Sequence, residues 1–280
     1  MSTGRPNIFT YNDYQDFLKD WLAYKKASQS DFSLRALAKR AGLASGYLPM
    51  VLNKKRPLSL AVLNKLTPFL GLSGTEQSYL ESLLQFRNAG SNDVHVAALN
   101  KMKRFQKFQN HNPRDAEVSE YLTHWYYVAI RELAAVPGFK AEPAWLQEQL
   151  NFSIPLGEIK QALEFLLKNE YLSIDSEGRV QPPKKNLDCS GEVFRVALAK
   201  FHREVMLLSS HAIEVLPREQ REIQGHTCSL SEANFLRAKD IVNEAMQKLR
   251  DLEAGETSAS SVYHMEIALI SLTSQKVSGK

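Results

Sequence analysis

Apolar residues recur at three- and four-residue steps along most of the chain, the spacing of helices that bury one face. In YQDFLKDWLAYK, Tyr14, Phe17, Leu18, Trp21 and Leu22 share such a face over about Tyr14 to Lys25. Ser33 predicts the cap of a helix over Leu34–Ala41, since its hydroxyl can take an N–H of the first turn, and Gly42 supplies the corner. A third helix is expected from about Ser45 to Asn53. LAVLNKLTPFLGL gives a fourth, with Ser59 as cap, Gly71 as stop and Pro68 as a shortening or kinking residue. TEQSYLESLLQF, Thr75 to Phe86, gives a fifth, with an acid near its start to suit the helix dipole.

Beyond the Gly/Ser/Asn-rich linker Arg87–Asp93, Ala98, Met102, Phe105 and Phe108 mark an amphipathic connector helix with Lys101, Lys103, Arg104 and Lys107 on its other side. A single apolar helix is expected from Glu117 to Ala135. A short helix AWLQEQL, a turn NFSIP and a longer helix LGEIKQALEFLLK follow, and YLSIDSEGRVQ then alternates as a hairpin with Ser176-Glu177-Gly178 at its tip. That order is a winged helix-turn-helix, closed by Pro182–Asn186. The remainder predicts a helix Glu192–Val215, a strand Arg221–Leu230, a helix from Ser231 to Ala254 and a second strand Val262–Leu272. In that last strand Tyr263, Met265, Ile267 and Leu269 share a face. The fold class is therefore mainly α with small β elements: a five-helix domain (1–88), a connector (89–114), a winged-helix-like unit (115–186) and a C-terminal α+β module (187–280).

The stretch SLRALAKRAGLASGYLPMVLNKKRPLS has the layout of a helix-turn-helix, in which the first helix braces and the second enters the major groove. Leu34, Leu37, Ala38, Leu43, Leu48, Val51 and Leu52 fall on core positions. Ala38 is small where two helices approach, and Gly42 lies where the chain reverses. The stretch resembles the lambda-repressor-like helix-turn-helix class. The wider chain, through YNDYQDFLKDW, this stretch, LGLSGTEQSYLESLLQF and VYHMEIALISLT, resembles a bacterial family of paralogous proteins. That family joins such a domain to a C-terminal domain of unknown function. The resemblance implies a transcriptional role and places base contacts at Ser45, Gly46 and Met50. Base discrimination rests mainly on bidentate Arg, Lys, Asn or Gln. Serine offers one hydrogen bond, glycine none, and methionine only apolar contact with a thymine methyl. Pro49 is compatible with a helix that starts late, where its missing N–H is not needed.

Charge adds a second signal. The net +4 decides little, but no acidic residue lies between Asp31 and Glu76, while Arg35, Lys39, Arg40, Lys54, Lys55, Arg56 and Lys65 are basic. Such a one-sign stretch attracts polyanions. Phosphate contacts are expected from Arg35, Tyr47, Lys54, Lys55 and Arg56. The winged unit is a poorer candidate. Glu158, Lys160, Gln161, Glu164 and Lys168 nearly cancel, and Asp175 and Glu177 would repel phosphates, which favours a structural or partner-binding role.

Other chemistry finds no foothold. The seven histidines have no metal-ligand spacing, His124 beside Trp125 reads as a core residue, and no phosphate loop, dinucleotide fingerprint or nucleophile elbow occurs. Neither an enzyme activity, a catalytic residue, a cofactor nor a bound metal is expected. Two isolated cysteines, Cys189 and Cys228, and the lack of a secretion signal or a long apolar run fit a cytoplasmic protein with no membrane partner. Two readings stand: a DNA-binding regulator that acts on duplex DNA, or a protein-binding signalling adaptor whose helix-turn-helix no longer reads bases. The two C-terminal strands are too few for a free sheet, so a homodimer through Ile267 and Leu269 is expected.

Overall fold

The structure, a computed structural model, describes residues 4–29, 31–182 and 191–274. Among these residues it is mainly α with one small two-stranded sheet. The first five helices follow the predicted order: α1 (Tyr14–Ser28), α2 (Leu34–Arg40), α3 (Tyr47–Leu52), α4 (Leu60–Leu70) and α5 (Gly74–Arg87). Side chains start most of them by taking first-turn N–H groups that have no carbonyl one helical turn back to bond. Asp13 takes that of Gln15, Ser33 that of Ala36, and Ser59 that of Val62. Ser73 and Glu76 form a reciprocal capping box on α5. Gly71, at φ 60°, ends α4 in the left-handed conformation, and Pro68 is held inside that helix's last turn.

Next come α6 (Asn92–Lys103), α7 (Gln106–His111), α8 (Pro113–Tyr121), α9 (Trp125–Leu133), α10 (Pro143–Gln149) and α11 (Leu156–Lys168). The hairpin β1 (Ser173–Ile174) and β2 (Val180–Gln181), then α12 (Glu192–Val215) and α13 (Glu232–Ala254), complete the described α-helices and strands, and single 3-10 turns lie at Ile8–Thr10 and Arg218–Gln220. The chain divides into two compact units, residues 1–122 with 187–200, and residues 123–186 with 201–280.

In the first unit Phe17, Trp21, Leu37, Ala38, Leu48, Val51, Leu63, Leu66, Tyr79 and Phe86 form one core. Ala98, Met102 and Phe108 of α6 and α7 join it, as do Val193 and Val196 of α12. The stretch expected to act as a connector thus spends its apolar face on this core. It is also two helices rather than one, since the α-helical bonding breaks at Arg104 and Phe105.

In the second unit Tyr126, Ile130, Leu146, Ile159, Leu163, Leu166 and Tyr171 are buried, which gives the expected helix, turn, helix and hairpin their core. Ser173 pairs with Gln181 and Ile174 with Val180. At the tip the Asp175 carboxylate accepts from the N–H groups of Glu177 and Arg179, each at 2.9 Å, and Gly178 takes φ 78°.

Two further expectations are corrected. The single helix from Glu117 to Ala135 is two, α8 and α9, because His124 is extended and Glu204 accepts the Trp125 N–H at 3.1 Å, starting a new helix there. The strands Arg221–Leu230 and Val262–Leu272 do not form. Among the described residues, no main-chain hydrogen bond joins Glu222–Leu230 or Thr257–Ser274 to another main-chain group. A period of two describes a strand that has a neighbour to pair with, and here neither segment meets one. The region is therefore two long helices with irregular segments rather than an α+β module. Residues 183–186 of the expected winged-unit boundary, and Cys189, lie outside the described residues.

Candidate nucleic-acid interface

The brace and the second helix are set by a short run of main-chain bonds. The Leu43 N–H reaches Ala38 O at 2.8 Å and the Gly42 N–H reaches Lys39 O at 3.1 Å, with Gly42 at φ 65°. No atom lies within 4 Å of where a Gly42 side chain would start, so it is the backbone angle that asks for glycine. Helix α3 begins at Tyr47, two residues later than predicted, which leaves Pro49 in the first turn where its missing N–H costs no helical bond.

Burial separates the two sides of α3. Leu48 and Val51 face the core, while Ser45, Gly46 and Met50 are exposed, Met50 at 40%. Arg35, Lys39, Arg40, Lys55, Arg56 and Lys65 are exposed on α2, the loop after α3 and α4. The Arg40 guanidinium covers the Phe69 ring at 4.9 Å and that of Arg56 covers the Tyr47 ring at 4.9 Å, so both cations also make a cation–π contact.

Lys54 is placed differently. Its ammonium lies 2.9 Å from Asp13 Oδ2 and 3.0 Å from Asp16 Oδ1, and the hydrogen bond to Asp13, then that to Asp16, raises its pKa. The stretch has no acid of its own, yet α1 and its capping residue bring two to one member of it. Lys54 also stands at φ 58°, with its N–H on Val51 O at 3.0 Å and the Lys55 N–H on Met50 O at 2.9 Å. That is a Schellman ending with lysine where glycine is usual.

Residues to which sequence reading assigned no part in this loop hold it. The buried Gln15 gives its amide to Val51 O at 2.9 Å. The Tyr14 hydroxyl accepts the Leu58 N–H at 2.9 Å, and burial pushes its pKa up. Asn88 donates to Leu58 O at 2.6 Å. Arg87 joins Asp13, at 3.4 Å, to Glu192 of α12, at 2.6 Å.

On α11 Lys160 and Glu164 pair loosely at 4.0 Å, and in the hairpin Arg179 pairs with both Asp175 and Glu177 at 3.0 Å. The cation of that hairpin is thus internally balanced. His124 packs as a ring, stacked on Tyr126 at 5.2 Å, with Nδ1 3.0 Å from Glu204. Among the described residues no group of three or more His, Cys, Asp or Glu is placed to hold a metal ion, and no helix is long and apolar enough to cross a membrane.

Fold and site together define a mainly helical protein of two units, the first of which exposes basic residues on α2, the loop after α3 and α4. The chain belongs to the DUF4423 family, a domain of unknown function, whose model matches residues 98–272. That match begins within α6, so residues 33–59 precede it. No curated protein and no solved structure matches the chain.

Proposed function

We propose that this protein is a DNA-binding transcriptional regulator. Its N-terminal unit, read as a lambda-repressor-like helix-turn-helix of a bacterial paralogous family, holds duplex phosphates, and its C-terminal half supplies dimerisation or signal input. One observation carries the reading: exposed Arg35, Lys39, Arg40, Lys55, Arg56 and Lys65 accompany a short second helix, with Met50 on it and Ser45 and Gly46 just before it facing solvent. Such a surface binds through counterion release with little base discrimination. Lys54 is the weakest of the phosphate ligands, because Asp13 and Asp16 already occupy its ammonium. The adaptor reading is favoured by that same pairing and by the lack of bidentate groups at Ser45, Gly46 and Met50.

A titration against specific and random duplexes at several salt concentrations separates the two. Affinity should fall steeply with salt and differ little between sequences. Lys55→Glu with Arg56→Glu should lower the log–log salt slope by about 0.9 for each phosphate no longer neutralised, with binding much weakened at low salt. Lys54 is left in place, since glutamate there would face two carboxylates and confuse folding with binding. Salt-independent binding, or affinity unchanged in the double variant, would overturn the DNA reading and leave the adaptor.

A further inference from the structure

Large apolar side chains are handled differently on the two sides of residue 205. Among the described residues five are exposed before it and sixteen between Met206 and Leu272, so the unburied apolar surface belongs to the C-terminal quarter. Helix α13 has no buried residue, and Leu236, Ile241 and Leu252 on it are 55%, 64% and 73% exposed. Along Val262–Leu272 the burial is inverted: Glu266 is the residue most covered, and every apolar neighbour is exposed. Glu266 Oε2 lies 2.9 Å from His202 Nδ1 and 3.3 Å from His264 Nε2, and the His264 ring meets Phe201 edge-on at 5.7 Å. The segment is thus pinned by its one acid, its apolar side chains are exposed, and among the described residues its main-chain groups meet no main-chain partner.

We propose that Val262–Leu272 is a pairing strand for a second copy of this chain, joined antiparallel about a two-fold axis through Ile267. This names the surface behind the assembly role given above to the C-terminal half, and it rests on that part of the reading, not on DNA contact. A two-fold axis perpendicular to the strands puts each residue opposite one on the same face, which allows only centres on a residue. Centring on Ile267 pairs all eleven residues. It sets Met265 against Leu269 of the second copy, Ile267 against its own copy and Glu266 against Ala268, so no like charges meet. Centring on Glu266 would oppose two carboxylates, which directly opposed strand positions do not tolerate. Centring on Ala268 shortens the ladder and sets Glu266 against Ile270. A standard interface draws on about 20–30 residues a side, and the eleven residues of this segment supply its central strand. Pairing also covers an apolar strand edge that would otherwise template aggregation.

Light scattering on the full chain at micromolar concentration should report twice the 31.7 kDa of one chain. Ile267→Lys with Leu269→Lys should halve that mass while the helical circular dichroism stays intact. Should the double variant lose its helix signal, oxidation of Ile267→Cys decides, in a background with Cys189→Ser and Cys228→Ser. It should give a covalent dimer, whereas Tyr263→Cys, four residues off the axis, should not. A monomeric wild type overturns the proposal. So does a dimer that survives both lysines, or one that cross-links equally through both cysteine variants. DNA titration of the same samples keeps the two readings apart: a dimer without DNA affinity sinks the regulator alone, and a monomer that binds DNA sinks the strand pairing alone.

Discussion

Lys54 shows how one residue departs from what its neighbours in sequence imply. Its side chain occupies a left-handed backbone position, a conformation that costs a non-glycine residue on the order of 1 kcal/mol, and the ion pairs to Asp13 and Asp16 help hold it there. Those pairs are half exposed and worth at most about 1 kcal/mol themselves. Lys54→Gly and Lys54→Ala both delete the ion pairs, but only alanine keeps a Cβ at positive φ. Urea unfolding should therefore find the glycine variant more stable than the alanine variant by about 1 kcal/mol. Equal midpoints would remove the strain argument. At this scale the exposed Ser45, Gly46 and Met50 and the corner at Gly42 were legible, because local spacing decides them. The acids on Lys54, and the roles of Tyr14, Gln15 and Asn88, were not: each hydrogen bond spans thirty or more positions, and no periodicity carries that information.

Elements were legible where a cap or a glycine marks their ends, as at Ser33, Ser59, Gly71 and Ser231. They were misread where the mark comes from elsewhere. Glu204 starts α9 from a distant helix, and the expected strands meet no pairing neighbour among the described residues. The α5 capping box offers a test of the cap logic. Burial pushes the Glu76 carboxyl up, but the Ser73 N–H at 2.7 Å and Arg5 at 3.0 Å outweigh it, and the net pKa is lowered. A depressed carboxylate contributes stability above its unfolded pKa, near 4.3, which is lost as pH falls through the folded value. Glu76→Gln should thus lower the thermal midpoint at pH 7 and match the wild type near pH 3. A deficit that persists unchanged at pH 3 would assign the effect to packing rather than charge.

At the scale of the molecule, the chain leaves its first unit after residue 122 and returns to it at 187–200 before leaving again. Sequence reading placed the boundary of the N-terminal domain at 88, because an apolar stripe does not say which core it joins. The structure sets Val193 and Val196, 1% and 6% exposed, in the same core as Trp21 and Val51, and ties Arg87 to Glu192. The candidate DNA-binding unit is therefore finished by residues that lie inside the DUF4423 match. Val193→Ala and Val196→Ala each remove two buried carbons, so each should destabilise the first unit by roughly 2 kcal/mol, the pair adding incompletely because they share a face. Of the three tryptophans only Trp21 lies in that unit, so replacing Trp125 and Trp145 with phenylalanine leaves a reporter for it alone. The Trp21 fluorescence transition in urea should move to lower concentration in the valine variants. A Trp21 transition that ignores both substitutions would mean that the N-terminal unit is complete by residue 122, and that α12 does not support the helices of the helix-turn-helix stretch.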